Sequence, residues 1–146
     1  MSVQTHWCRS VEGLASLAPQ ALAALDRLAV QRVAKGQVLF RAGDVAQGFV
    51  VVLSGRIEVN LTHAGGRGIL LYAVEPGQSC VQTTLGLMAD DAYSGEAVAV
   101  SDLALVMIPR GLFQRLMDDD PGFRRFVLTA FGRRMQDVTR LLEQVA

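Results

Sequence analysis

Between Val30 and Pro109 the chain never holds one periodicity for long: short runs of β-branched and apolar residues are cut at close intervals by glycine turns. No such run can bury its surface alone, so the runs must pair with one another. Many short strands at roughly even spacing with glycine turns define a small antiparallel barrel or roll. Val30 and Val33, then Val38 and Phe40, are strand formers on either side of Lys35-Gly36, and Gly43-Asp44 marks a second turn. Phe49 to Leu53 is nearly continuously apolar, as a strand buried on both faces requires, and Gly55 breaks it. Ile57, Val59 and Leu61 then alternate with Arg56, Glu58 and Asn60, so one face is wet. The glycine-rich stretch 63–68 is expected to be a hairpin tip, because positive φ is cheap there. Ile69 to Val74 returns, and Glu75-Pro76-Gly77 turns again. The stretch from Pro76 to Gly95 has the length of a ligand-holding loop, with Cys80 expected on a strand beside it. Glu96 to Pro109 adds two more strands around Ser101-Asp102.

Helical spacing frames this region. Leucines at 17, 22, 25 and 28, with Pro19 in the first turn, predict a short amphipathic helix. Beyond Pro109, Leu112, Phe113, Leu116 and Met117 predict another. Asp118 to Asp120 stop it and supply an N-cap, and Pro121 suits the first position of a new helix. That last helix carries a sustained 4-3 rhythm through Val127, Phe131, Arg134, Val138, Leu141 and Val145, the seam of a two-stranded coiled coil with one arginine in it. A second apolar face, Phe123, Phe126 and Ala130, is left to pack on the roll. Two stripes on one helix imply a partner, here a second copy of the chain.

Length and composition narrow the function. The 146 residues are 51% hydrophobic and 19% charged, which excludes a disordered chain. No apolar run reaches a membrane span and the N-terminus lacks a signal-peptide pattern, so a soluble cytoplasmic protein without membrane contact is expected. A formal net charge of zero disfavours direct nucleic-acid binding. The basic residues are thirteen arginines and Lys35. Cys8 and Cys80, the only cysteines, cannot close a zinc site or hold an iron–sulfur cluster, and read as reduced thiols with no metal expected. Thr5 to Cys8 reads as an exposed tail, with haem or metal ligation by His6 and Cys8 as the alternative. No nucleophile sits beside a base in any motif, so no catalytic residues and no enzymatic activity are expected.

Gly36 to Val59, "GQVLFRAGDVAQGFVVVLSGRIEV", resembles the first half of the cyclic-nucleotide-binding domain of the cyclic-AMP receptor protein/FNR family of bacterial regulators. Asp119 to Val145 resembles that family's dimer helix. The resemblance implies an α+β, mainly β fold: a double-stranded antiparallel β-helix, or jelly-roll-like β-roll, with a short N-terminal helix and a long C-terminal dimerisation helix. The implied division is an N-terminal segment at 1–16, the β-roll at 17–109 and the helices at 110–146. In this family a winged helix beyond the dimer helix reads DNA. None is present up to Ala146, which suits either the sensor half of a longer regulator or a stand-alone domain.

The resemblance also makes Pro76 to Gly95 the phosphate cassette, altered where the charge should be. The family's ribose-contacting glycine-glutamate pair falls on Val81-Gln82. Its phosphate-gripping arginine falls on Tyr93, followed by Ser94. The implied pocket comprises Val81, Gln82, Thr83, Thr84, Tyr93 and Ser94, with Arg134 and Thr139 from the dimer helix. Two charge-assisted hydrogen bonds from an arginine fork are worth roughly 1.5–3 kcal/mol each. Their loss costs about two to four decades in affinity. Asp90 and Asp91 add negative charge near the same loop. The expected function is therefore an effector-sensing, homodimeric domain with a degenerate cassette and an unidentified effector. A cyclic-AMP or cyclic-GMP pocket with altered contacts, or a haem or redox sensor of the same fold, are the alternatives.

Overall fold

The computed structural model describes residues 6–62 and 68–145; the expected hairpin tip lies outside the described residues except for Gly68. A 3₁₀ turn at Trp7–Ser10 leads to helix α1 (Pro19–Asp26), with Pro19 in its first turn as expected. Five strands follow: β1 (Gln31–Val33), β2 (Val38–Phe40), β3 (Gly48–Ser54), β4 (Ile57–Thr62) and β5 (Gly68–Val74). Then come α2 (Val81–Ala89), β6 (Glu96–Ala99), β7 (Leu103–Pro109), α3 (Arg110–Asp119) and α4 (Pro121–Val145).

All strand pairs are antiparallel and form two sheets, β1-β7-β3 and β2-β6-β4-β5. Strand alternation sorts the side chains into two cores. Val33, Val52, Ile57, Val59, Val74, Ala97, Leu103 and Leu105 pack between the sheets. Phe49, Val51, Val106 and Ile108, on the opposite face of β3 and β7, pack against Leu25, Phe113, Phe123 and Val127 of the helices. The mainly β roll with a short leading helix and a long terminal one is therefore the architecture expected. Gly55 (φ +92°) turns β3 into β4, and a Cβ there would collide with the Asp102 carbonyl. The Asp120 carboxylate caps α4 by accepting the Phe123 N–H at 3.0 Å, so the expected N-cap and Pro121 start are both present.

Three expectations need correction. The stretch from Pro76 to Gly95 is not simply a loop, because it folds the nine-residue helix α2; Cys80 is the residue capping that helix and lies on no strand. Trp7 and Cys8 are no exposed tail. Both are fully buried, the Trp7 indole donates to the Leu25 carbonyl at 2.9 Å, and the Cys8 thiol donates to Asp26 at 3.0 Å. The seam assigned to the last helix also does not run along one free surface. Val127 is 0% and Arg134 9% exposed, both against this chain's own roll, whereas Val138, Leu141 and Val145 are exposed. Twenty-five residues make α4 about 37 Å long, so its C-terminal half outruns the roll. Exposed Leu142 extends the apolar surface of that half.

Candidate functional site

Helix α2 follows β5 in the chain, precedes β6, and packs against β3 and α4. Its sequence, VQTTLGLMA, carries three β-branched residues and an interior glycine, none of which favours a helix. Tertiary contacts hold it. The Thr84 hydroxyl donates to the Cys80 carbonyl at 3.0 Å, and Ser79 and Thr84 share a hydrogen bond of 3.3 Å. Gly86 sits where a Cβ would come within 2.8 Å of Ala46, so only glycine lets the helix lie this close to the segment before β3. At its other end Asp90 takes a left-handed conformation (φ 58°) and pairs with Arg110. Arg110 also donates to the Ala46 and Gly86 carbonyls, tying the end of α2 to the segment before β3. The Asp90 charge is therefore neutralised at the far end of α2 instead of facing a ligand.

The cassette residues form one connected hydrogen-bond network. Tyr72 on β5, opposite buried Val59, accepts the Gln82 N–H at 3.1 Å through its hydroxyl, which also lies 3.5 Å from the Cys80 sulfur. The Thr83 hydroxyl donates to Cys80 Sγ at 3.1 Å and shares a 3.1 Å hydrogen bond with the Tyr93 hydroxyl. The Gln82 side-chain oxygen accepts the N–H groups of Ser94 and Gly95 at 3.1 and 3.0 Å. Thus Gln82, Thr83, Thr84, Tyr93 and Ser94 lie together, with Val81 half-buried in the first turn of α2. Burial holds the Tyr72 phenol well above the usual tyrosine range, reinforced by Cys80. Burial also raises Tyr93, against the opposing effect of its hydrogen bond with Thr83.

Arg134 does turn toward this network. Its guanidinium donates to the Ala73 carbonyl at 2.7 Å and lies 5.3 Å over the Tyr72 ring. Among the described residues no carboxylate pairs with it. Together with Arg133, Arg140, Gln78 and Ser79 it lines a cavity of about 300 Å³ beneath α4. Thr139 is not brought to the cassette. It is exposed, and its hydroxyl donates to the Met135 carbonyl one turn back. Glu96 pairs with Arg41 at 3.8 Å on the surface. Among the described residues no group of histidine, cysteine and carboxylate side chains could hold a metal ion. Tyr72 is the member of this network that sequence patterning did not single out. Inward parity on β5, counted back from buried Val74, points to it.

A mainly β roll with a short helix between β5 and β6 and a long C-terminal helix is the architecture of a small binding domain. The chain belongs to the family of cyclic nucleotide-binding domains, whose family model matches residues 30–120. Regulators of the CRP/FNR type are among its solved structural neighbours. The catabolite activator protein of Thermus thermophilus superposes with a TM-score of 0.70 at 26% identity, over 89% of this chain and 61% of that one. A regulator provisionally assigned to the CRP/FNR family from Eubacterium rectale gives 0.76 at 23% identity, over 90% of this chain and 61% of that one, which shows the fold. Lysophospholipase nte1 of Aspergillus oryzae is 30% identical over 129 residues, or 88% of this chain. This chain spans only 8% of that enzyme's length, so the shared part is the binding domain. No helix among the described residues is long and apolar enough to cross a membrane.

Proposed function

We propose that this chain is the effector-sensing and dimerisation domain of a CRP/FNR-type transcriptional regulator, and that its own side chains close the cassette to cyclic nucleotides. The observation that carries this reading is the double use of Gln82. Its amide is held by Tyr72 at 3.1 Å and its side-chain oxygen by two further amides, so the groups that would meet a ribose are already satisfied. At the arginine position stands Tyr93, a buried neutral phenol hydrogen-bonded to Thr83. An anionic cyclic ester would have to break this network and would meet no cation at the Tyr93 position in return. The proposed pocket residues are Val81, Gln82, Thr83, Thr84, Tyr93, Ser94 and Arg134, with Tyr72 added; Thr139 joins them only if it comes from a second copy.

The exposed end of α4 supports dimerisation. Val138, Leu141, Leu142 and Val145 form apolar surface on a helix that has left its own roll behind. DNA contact belongs, in this reading, to a winged helix beyond Ala146. A second reading, cyclic-nucleotide binding with altered contacts, draws support from Arg134, whose guanidinium lies over the Tyr72 ring and has no carboxylate partner among the described residues. Calorimetric titration with cyclic AMP and cyclic GMP decides between them. The closed cassette predicts dissociation constants of about 0.1–10 mM, two to four decades above a micromolar binder. Micromolar binding of either nucleotide contradicts it.

A further inference from the structure

Tyr93 also lines a second space, inside the roll. The inner face of the β1-β7-β3 sheet and the facing strand β2 leave a cavity of about 450 Å³ between them. Its walls are Val33, Leu39, Phe40, Val50, Leu105 and Met107, with Tyr93 at one side. Leu39, Phe40, Val50 and Met107 are only half-buried, whereas Val52 and Leu103 on the same inner face are each 2% exposed. The roll is therefore tightly packed at one end and hollow at the other. Unfilled apolar walls forgo dispersion contacts that an occupant would restore. Ligand sites of about 300–1,000 Å³ combine just such walls with a few polar groups. Here the polar groups stand at the mouth: Gln31, Gln37, Gln47 and Asp44. Asp44 carries the only formal charge in the lining, and it is negative, with its carboxylate already accepting the Arg41 N–H at 2.9 Å. Among the described residues no cation lines the space, so a phosphate or carboxylate finds no partner among them.

We propose that this cavity binds a small, uncharged, largely apolar molecule, about the size of two fused rings, and that Tyr93 passes its arrival to the cassette. The Phe40 and Tyr93 rings stack with centroids 3.6 Å apart and planes 6° from parallel, offering the occupant an aromatic wall. The Tyr93 backbone is fastened next to the mouth, donating to the Asp44 carbonyl at 2.9 Å and accepting the Gly43 N–H at 2.7 Å. Its hydroxyl reaches Thr83 on α2. A molecule entering beside the stack shifts the Phe40–Tyr93 pair and loosens that hydroxyl from Thr83. The signal enters from the opposite side of the roll to any cyclic nucleotide. The site stands whether or not the cassette itself is closed.

The neutral fluorophore N-phenyl-1-naphthylamine tests the assignment on the intact chain. Expected is a saturable fluorescence rise with one site per chain and a dissociation constant on the order of 10 µM. Leu39→Trp fills the cavity and weakens binding by at least about tenfold, with an unchanged circular-dichroism spectrum. Methionine-methyl NMR provides a readout that needs no variant: the Met107 resonance shifts on adding the probe, while that of Met135 on α4 does not. The assignment is overturned if binding is not saturable, if folded Leu39→Trp binds like wild type, or if only Met135 responds. Displacement of the probe by cyclic AMP overturns it as well, by moving the probe to the cassette. Failure of the probe to bind leaves the cyclic-nucleotide calorimetry untouched, so the two readings fail separately.

Discussion

Replacing Tyr72 by phenylalanine removes a single oxygen from the centre of the cassette, and its cost reports whether that oxygen is bound as described. The hydroxyl accepts the Gln82 N–H at 3.1 Å, in a site where Tyr72 is half-buried beneath Arg134. Losing a neutral hydrogen bond costs about 1 kcal/mol, and leaving the Gln82 amide without a partner adds about 1 kcal/mol more at this partly buried position. The ring and its contact with the Arg134 guanidinium remain, so no cavity contribution enters. A loss of about 2 kcal/mol in a chain of this length lowers the melting temperature by about 5–8 °C. Tyr93→Phe is the internal comparison. There the Thr83 hydroxyl keeps Cys80 Sγ as acceptor and the ring keeps its stack on Phe40, so the cost falls to about 1 kcal/mol. Differential scanning calorimetry and urea titration of both variants are the assays. If Tyr72→Phe melts within about 1 °C of wild type, its hydroxyl is in bulk water and the cassette is open.

The buried phenols and the Cys8 thiol also make stability fall in alkali. The Tyr72 and Tyr93 phenols are raised by burial, and Cys8 is pushed from 9.0 to about 12 by burial and Asp26. The unfolded chain therefore releases these protons first, so their contribution is intact below about pH 9 and declines as pH rises. The urea midpoint is expected to drop between about pH 9 and pH 11, less steeply in Tyr72→Phe; a flat profile contradicts the burial of these groups. For the proposed dimer, wild type is expected to sediment as a dimer. Val138→Glu and Leu141→Glu are expected to sediment as monomers with unchanged circular dichroism; dimers in both variants would move the interface off the end of α4.

Much of the roll can be read from local pattern, because its strands are short and its turns need particular backbone. Gly36, Gly43, Gly55 and Gly77 all take positive φ at the turns where the sequence reading placed them. Pro19 and Asp120-Pro121 start helices as their chemistry dictates. Helix α2 was not legible, because VQTTLGLMA is helical through contacts remote in sequence, Ala46 against Gly86 and Arg110 at its end. The orientation of α4 was half legible. Its 4-3 rhythm is real, but periodicity does not say which turns face the chain's own roll, and Val127 and Arg134 do. Tyr72 escaped for a related reason. The Ile69–Leu71 stretch beside it is exposed, and the inward direction of Tyr72 rests on parity with buried Val74 and on its pairing with Val59.

The most direct test is a crystal structure of this chain grown with millimolar cyclic AMP. Tyr72 is predicted to remain within hydrogen-bond distance of the Gln82 amide, Tyr93 to remain bonded to Thr83, and no nucleotide density to appear between α2 and β5. A cyclic phosphate seated there, with Tyr72 swung aside and the Arg134 guanidinium moved from the Ala73 carbonyl onto the phosphate oxygens, would contradict the closed cassette.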